Sequence, residues 1–239
     1  GAIIGTGIFV LIGTATVGDA VRLGAGPGIT LSFLLSGLAC VLAALCYAEF
    51  AAMIPVSGSA YTYSYATLGE FIAWITGWNL ILEYGVASVA VAIGWSGYFN
   101  KLLQIAGIYL PDWATHAPGG PEGGVINLPA MIIVLLCTWM LVVGIKESAR
   151  ITTIIVVIKL VVIGFFIAVG ADQVDTANWS PFMPNWFAGV GAAAAIVFFA
   201  YIGFDAVSTT AEEARNPQRD IPIGIIASLG ICTLLYLAV

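Results

Sequence analysis

Charge is the first thing this chain is short of. Only 8% of its 239 residues are Asp, Glu, Lys or Arg, whereas soluble domains carry about a quarter. Histidine is nearly absent, with His116 alone in a Pro/Gly loop. A single loop histidine leaves no Ser/His/Asp set and no histidine metal cluster. The four cysteines, Cys40, Cys46, Cys137 and Cys232, show no CxxC spacing, and each lies in an apolar run. They read as small buried hydrophobes rather than metal ligands. No phosphate-binding loop, basic stripe for nucleic acid or signal peptide is visible in these residues. An enzyme is therefore the reading these residues support least, and no cofactor is expected.

What the chain has is apolar surface. Hydrophobic residues make up 61% of it, more than the core of a domain this size can absorb. The lipid bilayer must be the other solvent. A spanning helix needs about 20 mainly apolar residues. Seven such runs can be marked: 1–18, 28–53, 71–99, 125–145, 151–170, 187–211 and 223–239. The first and last are short and reach Gly1 and Val239, so both ends read as cut. The segment 54–70, rich in Ser, Gly and Tyr, reads as a connector, and so does the charged stretch 212–222.

Short loops rich in Lys and Arg face the cytoplasm. One side holds Lys146, Arg150, Arg215 and Arg219. The other holds Arg22 and Lys101 among Asp19, Asp112, Glu122, Asp172 and Asp175. This places loops 54–70, 146–150 and 212–222 in the cytoplasm. Trp179 and Trp186 then stand at the outer interface, where tryptophan is enriched.

Three ionisable residues fall inside the runs: Glu83, Lys159 and Asp205. At a helix centre each costs roughly 2.5–3.5 kcal/mol on insertion scales, so each must face a cavity or a partner. A functional role is the default reading. The alternative is a structural ion pair, for example Lys159 with Asp205. Lys159 stands alone near the middle of its run, too deep to snorkel. Burial and a neighbouring carboxylate pull a lysine's protonation in opposite directions. An amine between the two can release and regain a proton. Glu49 lies nearer the end of its run and reads as interfacial.

Two runs look interrupted. The first opens Gly1-Ala2-Ile3-Ile4-Gly5-Thr6-Gly7-Ile8-Phe9. Glycine weakens a helix by about 1 kcal/mol against alanine. The sixth contains Phe199-Ala200-Tyr201-Ile202-Gly203-Phe204-Asp205. Irregular backbone at membrane depth survives only when buried or lining a cavity. Freed N–H groups bind a carboxylate and freed carbonyls bind a cation. An amino acid's two head groups need that combination. The competing explanation is close helix packing, since Gly1 and Gly5 fit a small-xxx-small pattern.

Together these stretches resemble the amino acid–polyamine–cation transporter superfamily, and within it bacterial homologues of the cationic amino acid transporters. The resemblance also rests on Pro55-Val56-Ser57-Gly58-Ser59-Ala60-Tyr61 with Gly69-Glu70. It rests further on Glu212-Glu213-Ala214-Arg215-Asn216-Pro217, followed by Asp220-Ile221-Pro222. The resemblance implies an all-α, polytopic membrane helical bundle with the LeuT-like inverted-repeat fold of twelve or more helices. Only the first seven or so are present here. Residues 1–170 would form the first five-helix repeat, and 171–239 would begin the second.

The resemblance also implies a site. Gly5, Thr6 and Gly7 would offer N–H groups to the substrate carboxylate. Carbonyls of Ile3, Phe199, Ala200 and Ile202 would take its ammonium, with Phe199 as an aromatic gate. Lys159 would stand where sodium-dependent relatives hold Na⁺, favouring H⁺ as the coupling ion. Glu83 would meet a cationic side chain such as that of arginine, lysine or ornithine. Asp205 would assist proton movement or only orient the sixth helix. The implied function is a proton-coupled amino acid permease of the plasma membrane (the bacterial inner membrane), cationic substrates preferred. A neutral or broad-range carrier and a non-transporting membrane sensor or scaffold are the other readings. A channel is disfavoured by the lack of a filter motif.

Overall fold

A computed structural model describes residues 3–5, 7–19, 21–119, 123–143 and 145–239, and only the backbone of 145–150. The described residues are helical, and an isolated bridge between Gly18 and Leu23 is the sole strand-like pairing among them. A π-helical turn, Gly7–Leu11, leads into α1 (Ile12–Val17). Then come α2 (Ile29–Met53), α3 (Ser59–Leu68), α4 (Glu70–Ile105) and α5 (Leu128–Val143). They are followed by α6 (Ile145–Ala171), α7 (Trp186–Phe198) and α8 (Pro217–Ala238). Among the described residues five helical stretches are long and apolar enough to cross a bilayer: 26–53, 70–105, 151–171, 186–213 and 217–238. Two apolar helices, Gly7–Val17 and Leu128–Val143, are shorter.

Segment 54–70 is not merely a connector. It holds α3, ten residues bounded by Gly58 at φ 136° and Gly69 at φ 92°. Glycine tolerates such angles and so ends and restarts the helix within one residue. The charged stretch 212–222 is likewise part helix. Pro217 opens α8, because proline lacks only an N–H that is unpaired there anyway.

The chain forms two compact units, residues 1–80 with 156–239, and residues 81–155. In the second, the Ser96 hydroxyl donates to Asn127 Oδ1 (2.8 Å). The same oxygen accepts the Ala130 N–H at the start of α5 (3.1 Å).

The first unit is organised around α2. Its buried residues include Phe33, Gly37, Cys40, Ala44, Ala48 and Ala51, one stripe at helical spacing. Most are small, which lets neighbouring backbones come close. Ser32 and Ser36 donate to the carbonyls of Val190 (2.9 Å) and Ala194 (2.8 Å), so two hydroxyls one turn apart fasten α2 to α7. Tyr201 donates to the Phe33 carbonyl (3.0 Å). Of the cysteines, Cys40 and Cys232 are buried, whereas Cys46 and Cys137 are exposed. The expectation that all four are buried is corrected: two lie on outward helix faces.

Hydrogen bonds between segments distant in sequence also tie the first unit together outside α2. Ser57 donates through its hydroxyl to the Thr209 carbonyl (2.8 Å) and through its N–H to Glu212 (3.2 Å). Segment 54–58 therefore lies against residues 209–213, the end of a 3₁₀ run. At another point Asn185 donates to the Gly24 carbonyl (2.9 Å), joining the loops before α2 and α7. In the first of these, the Asp19 carboxylate accepts the N–H groups of Val21 and Arg22, both at 2.8 Å. Those bonds hold its carboxyl below the usual range.

Ser36→Ala should cost about 0.6 kcal/mol, the average for interhelical hydrogen bonds in a membrane bundle. Adding Ser32→Ala should increase the loss, by an amount other than a simple sum, because the two hydroxyls stand one turn apart and hold the same pair of helices. Reversible unfolding of the complete protein in mixed micelles measures this. No loss in the double variant would mean that packing alone joins α2 to α7.

Candidate functional site

Both interruptions lie in the first unit. Ile3, Ile4 and Gly5 form bends, and helical winding starts only at Gly7. Thr6 lies outside the described residues. The carbonyls of Ile3 and Ile4 are thus not spent in a helix, although both residues are buried (5% and 4% exposed). In the sixth run α7 ends at Phe198 and tightens into one 3₁₀ turn, Phe199–Tyr201. Ile202 then swings to ψ 134° and Gly203 takes φ 108°. Winding resumes as a second 3₁₀ run, Asp205–Glu213. A residue with a Cβ rarely adopts the angle of Gly203, so the glycine makes this break possible.

The two breaks meet. A Cβ added at Gly7 would overlap the Cα and Cβ of Ala200. Gly7 is therefore needed for contact between the two interrupted helices themselves, not only for room beside a ligand.

Two donors reach the freed carbonyls from other helices. Lys159, half-buried on α6, donates from Nζ to the Ile4 carbonyl at 2.6 Å. Its amine points at the break. Tyr236, on α8, places its hydroxyl 2.7 Å from the Ile3 carbonyl and 2.7 Å from the Ala200 carbonyl. Its ring packs against Phe33 (5.2 Å between centroids) and Tyr201 (5.3 Å). Phe33 and Tyr236 also form part of the wall of a neighbouring cavity of ≈ 670 Å³, mostly apolar, with Thr16, Thr30 and Asn178.

Of the residues singled out in the sequence, the first unit gathers Ile3, Gly7, Ala200 and Lys159 at this junction. Gly5 lies within the first break and Ile202 within the second. Phe199 is half-buried just before it, and its carbonyl accepts the Ile202 N–H (3.3 Å). Asp205 is buried (4% exposed) at the start of the lower run, where the Ser59 hydroxyl donates to its Oδ2 (3.4 Å). The carboxylate thus ties that run to the start of α3. Glu83, half-buried on α4, belongs to the second unit and is not among the residues that the first unit gathers. Sequence reasoning missed Tyr236 and Ser59. A lone tyrosine in an apolar run was the available signal for the first, since a buried phenol needs a partner.

Comparison with known proteins gives a consistent picture. A family model described as amino acid permease matches residues 1–239. The chain is 57% identical over 241 residues to the branched-chain amino acid permease BcaP of Bacillus subtilis (strain 168), covering 100% of this chain and 50% of that protein. It is 53% identical to the methylthioribose transporter of the same organism, covering 100% and 51%. It is 42% identical to cationic amino acid transporter 1 of Arabidopsis thaliana, covering 99% and 39%. The chain spans about half the length of the first two relatives, and less of the third.

Gly7→Ala should destabilise the complete protein by about 1–3 kcal/mol, the usual range for overpacking. Adding Ala200→Gly removes one of the two obstructing carbons and should recover part of the loss. Thermal unfolding midpoints of the single and double variants test this. Equal losses in both would break the pairing.

Proposed function

This chain belongs to the amino acid permease family, a family of carriers and not of enzymes, and on that premise we propose that it carries amino acids by proton-coupled alternating access. The observation that carries the reading is the Lys159 amine on the Ile4 carbonyl at a helix break. A fixed ammonium there supplies the positive charge that a bound cation would otherwise bring. A proton on that amine strengthens the bond to the first broken helix, because a charged donor holds a carbonyl more tightly than a neutral one; its loss leaves only a weaker, neutral N–H on that carbonyl. Protonation is thereby linked to the position of the substrate-holding backbone, which is what coupling requires.

The zwitterion's head groups are held by backbone in this proposal. Gly5, Thr6 and Gly7 face the carboxylate through N–H groups. The carbonyls of Ile3, Phe199, Ala200 and Ile202 face the ammonium, and Phe199 closes over it. Recognition by main chain leaves the side chain of the substrate to be chosen elsewhere.

For that side chain we favour a neutral, branched one. The support is the 57% identity to a protein named for branched-chain amino acids. The cationic preference first expected rests on the single carboxylate Glu83, and relatives named for cationic substrates are less similar (42% for one of them). Glu83 is then held by internal hydrogen bonds, and Asp205 orients the lower run of the sixth helix. The setting is the plasma membrane, with loops 54–70, 146–150 and 212–222 in the cytoplasm.

The complete protein in proteoliposomes tests the reading. An inward proton gradient should drive uptake of labelled leucine, and a sodium gradient should not. Unlabelled isoleucine should compete and arginine should not; the reverse order would restore the cationic reading and the role of Glu83. Lys159→Met should abolish proton-driven uptake, because the ionisable amine is gone. Undiminished uptake in that variant would refute its part in coupling.

A further inference from the structure

Tyr236 has one proton and two acceptors. Its hydroxyl lies 2.7 Å from carbonyls on both interrupted helices, Ile3 before the first winding and Ala200 in the second break. A single O–H cannot align with both at full strength. All three residues are buried: Tyr236 is 2% exposed, Ile3 5% and Ala200 1%. No bulk water is therefore at hand to serve the oxygen that the proton neglects. The neighbouring carbonyl, that of Ile4, has its own donor in Lys159.

We propose that the Tyr236 hydroxyl is an internal substitute for the substrate's ammonium, holding the two broken helices together while the carrier is empty. The inference rests on the transport reading above and deepens it. An ammonium has three N–H donors and serves both carbonyls at once, where the phenol serves them by turns. Substrate thus improves on a bond set that already exists rather than filling bare acceptors. In the empty carrier the phenol keeps Ile3 and Ala200 from facing each other as two unpaired oxygens. That matters for one step in particular. Net uptake requires the empty carrier to return across the membrane, whereas exchange of one amino acid for another does not. Tyr236 is in these terms a positioning residue for the empty return.

Tyr236→Phe keeps the ring and its packing on Phe33 and Tyr201 and removes only the hydroxyl. In proteoliposomes of the complete protein, net uptake of labelled leucine should fall about tenfold, as leaving a buried acceptor unpaired in one state predicts. Leucine-for-leucine exchange should stay within about twofold of wild type. Leucine should also raise the thermal unfolding midpoint more in the variant than in wild type, because only the empty state has lost a donor. If the empty variant cannot be purified, leucine present throughout purification should recover it. A parallel fall in uptake and exchange would overturn the inference. So would unchanged net uptake, or a variant that leucine fails to rescue. Absence of both uptake and exchange in wild type would instead overturn the transport reading.

Discussion

A carbonyl released from a helix inside a bilayer must find a donor, because lipid offers none. That requirement governs the first unit of this chain. Two helices give up regular winding, and each interruption exposes main-chain oxygen where water is scarce. The structure answers with side chains from helices remote in sequence. Lys159 reaches back 155 positions to Ile4, and Tyr236 reaches back 233 positions to Ile3. These bonds fix where α6 and α8 must stand relative to the first break. The polar chemistry of the site and the arrangement of helices around it are therefore one problem.

The supporting frame follows from the same constraint in milder form. Helix α2 contributes small side chains where neighbours come close and hydroxyls where they need to be held. Gly37 shows how tight the fit is: a Cβ there would stand 3.0 Å from the Tyr201 hydroxyl. That hydroxyl is bonded to the Phe33 carbonyl one turn earlier on the same helix. Lipid and helix interiors are equally apolar, so burial alone gives membrane helices little reason to associate. Close approach and a few interhelical hydrogen bonds supply the specificity instead.

Much of this was legible in the sequence, for identifiable reasons. The interruptions at Gly5–Gly7 and at Gly203 announce themselves by glycine beside polar residues within apolar runs. Lys159 is conspicuous because it is the one charge in residues 151–170. Other features carry no such mark. Helix α3 hides in a stretch whose Ser, Gly and Tyr read as connector, and its limits are set by the angles of Gly58 and Gly69. The tyrosine on α8 looks like any aromatic near a membrane surface. Its two partners lie 36 and 233 residues away, a relation that no local pattern encodes. The apposition of Gly7 and Ala200 is hidden for the same reason.

The run Asp205–Glu213 has a mechanical side. It is nine residues of 3₁₀ winding, whereas such runs seldom exceed three or four. Rewinding it as α-helix would shorten it by about 4.5 Å, since the rise per residue drops from about 2.0 to 1.5 Å. The two sides of the Gly203 joint are moored differently. Above the Gly203 joint, α7 is fastened to α2 through Ser32 and Ser36. Below it, Asp205, Thr209 and Glu212 are fastened to Ser59 and Ser57. The run is thus tied at its start, middle and end to the head of α3, with the Gly203 joint between it and α7. A change of length of that size, less than one helical pitch, would be met first at the head of α3, where the run is tied.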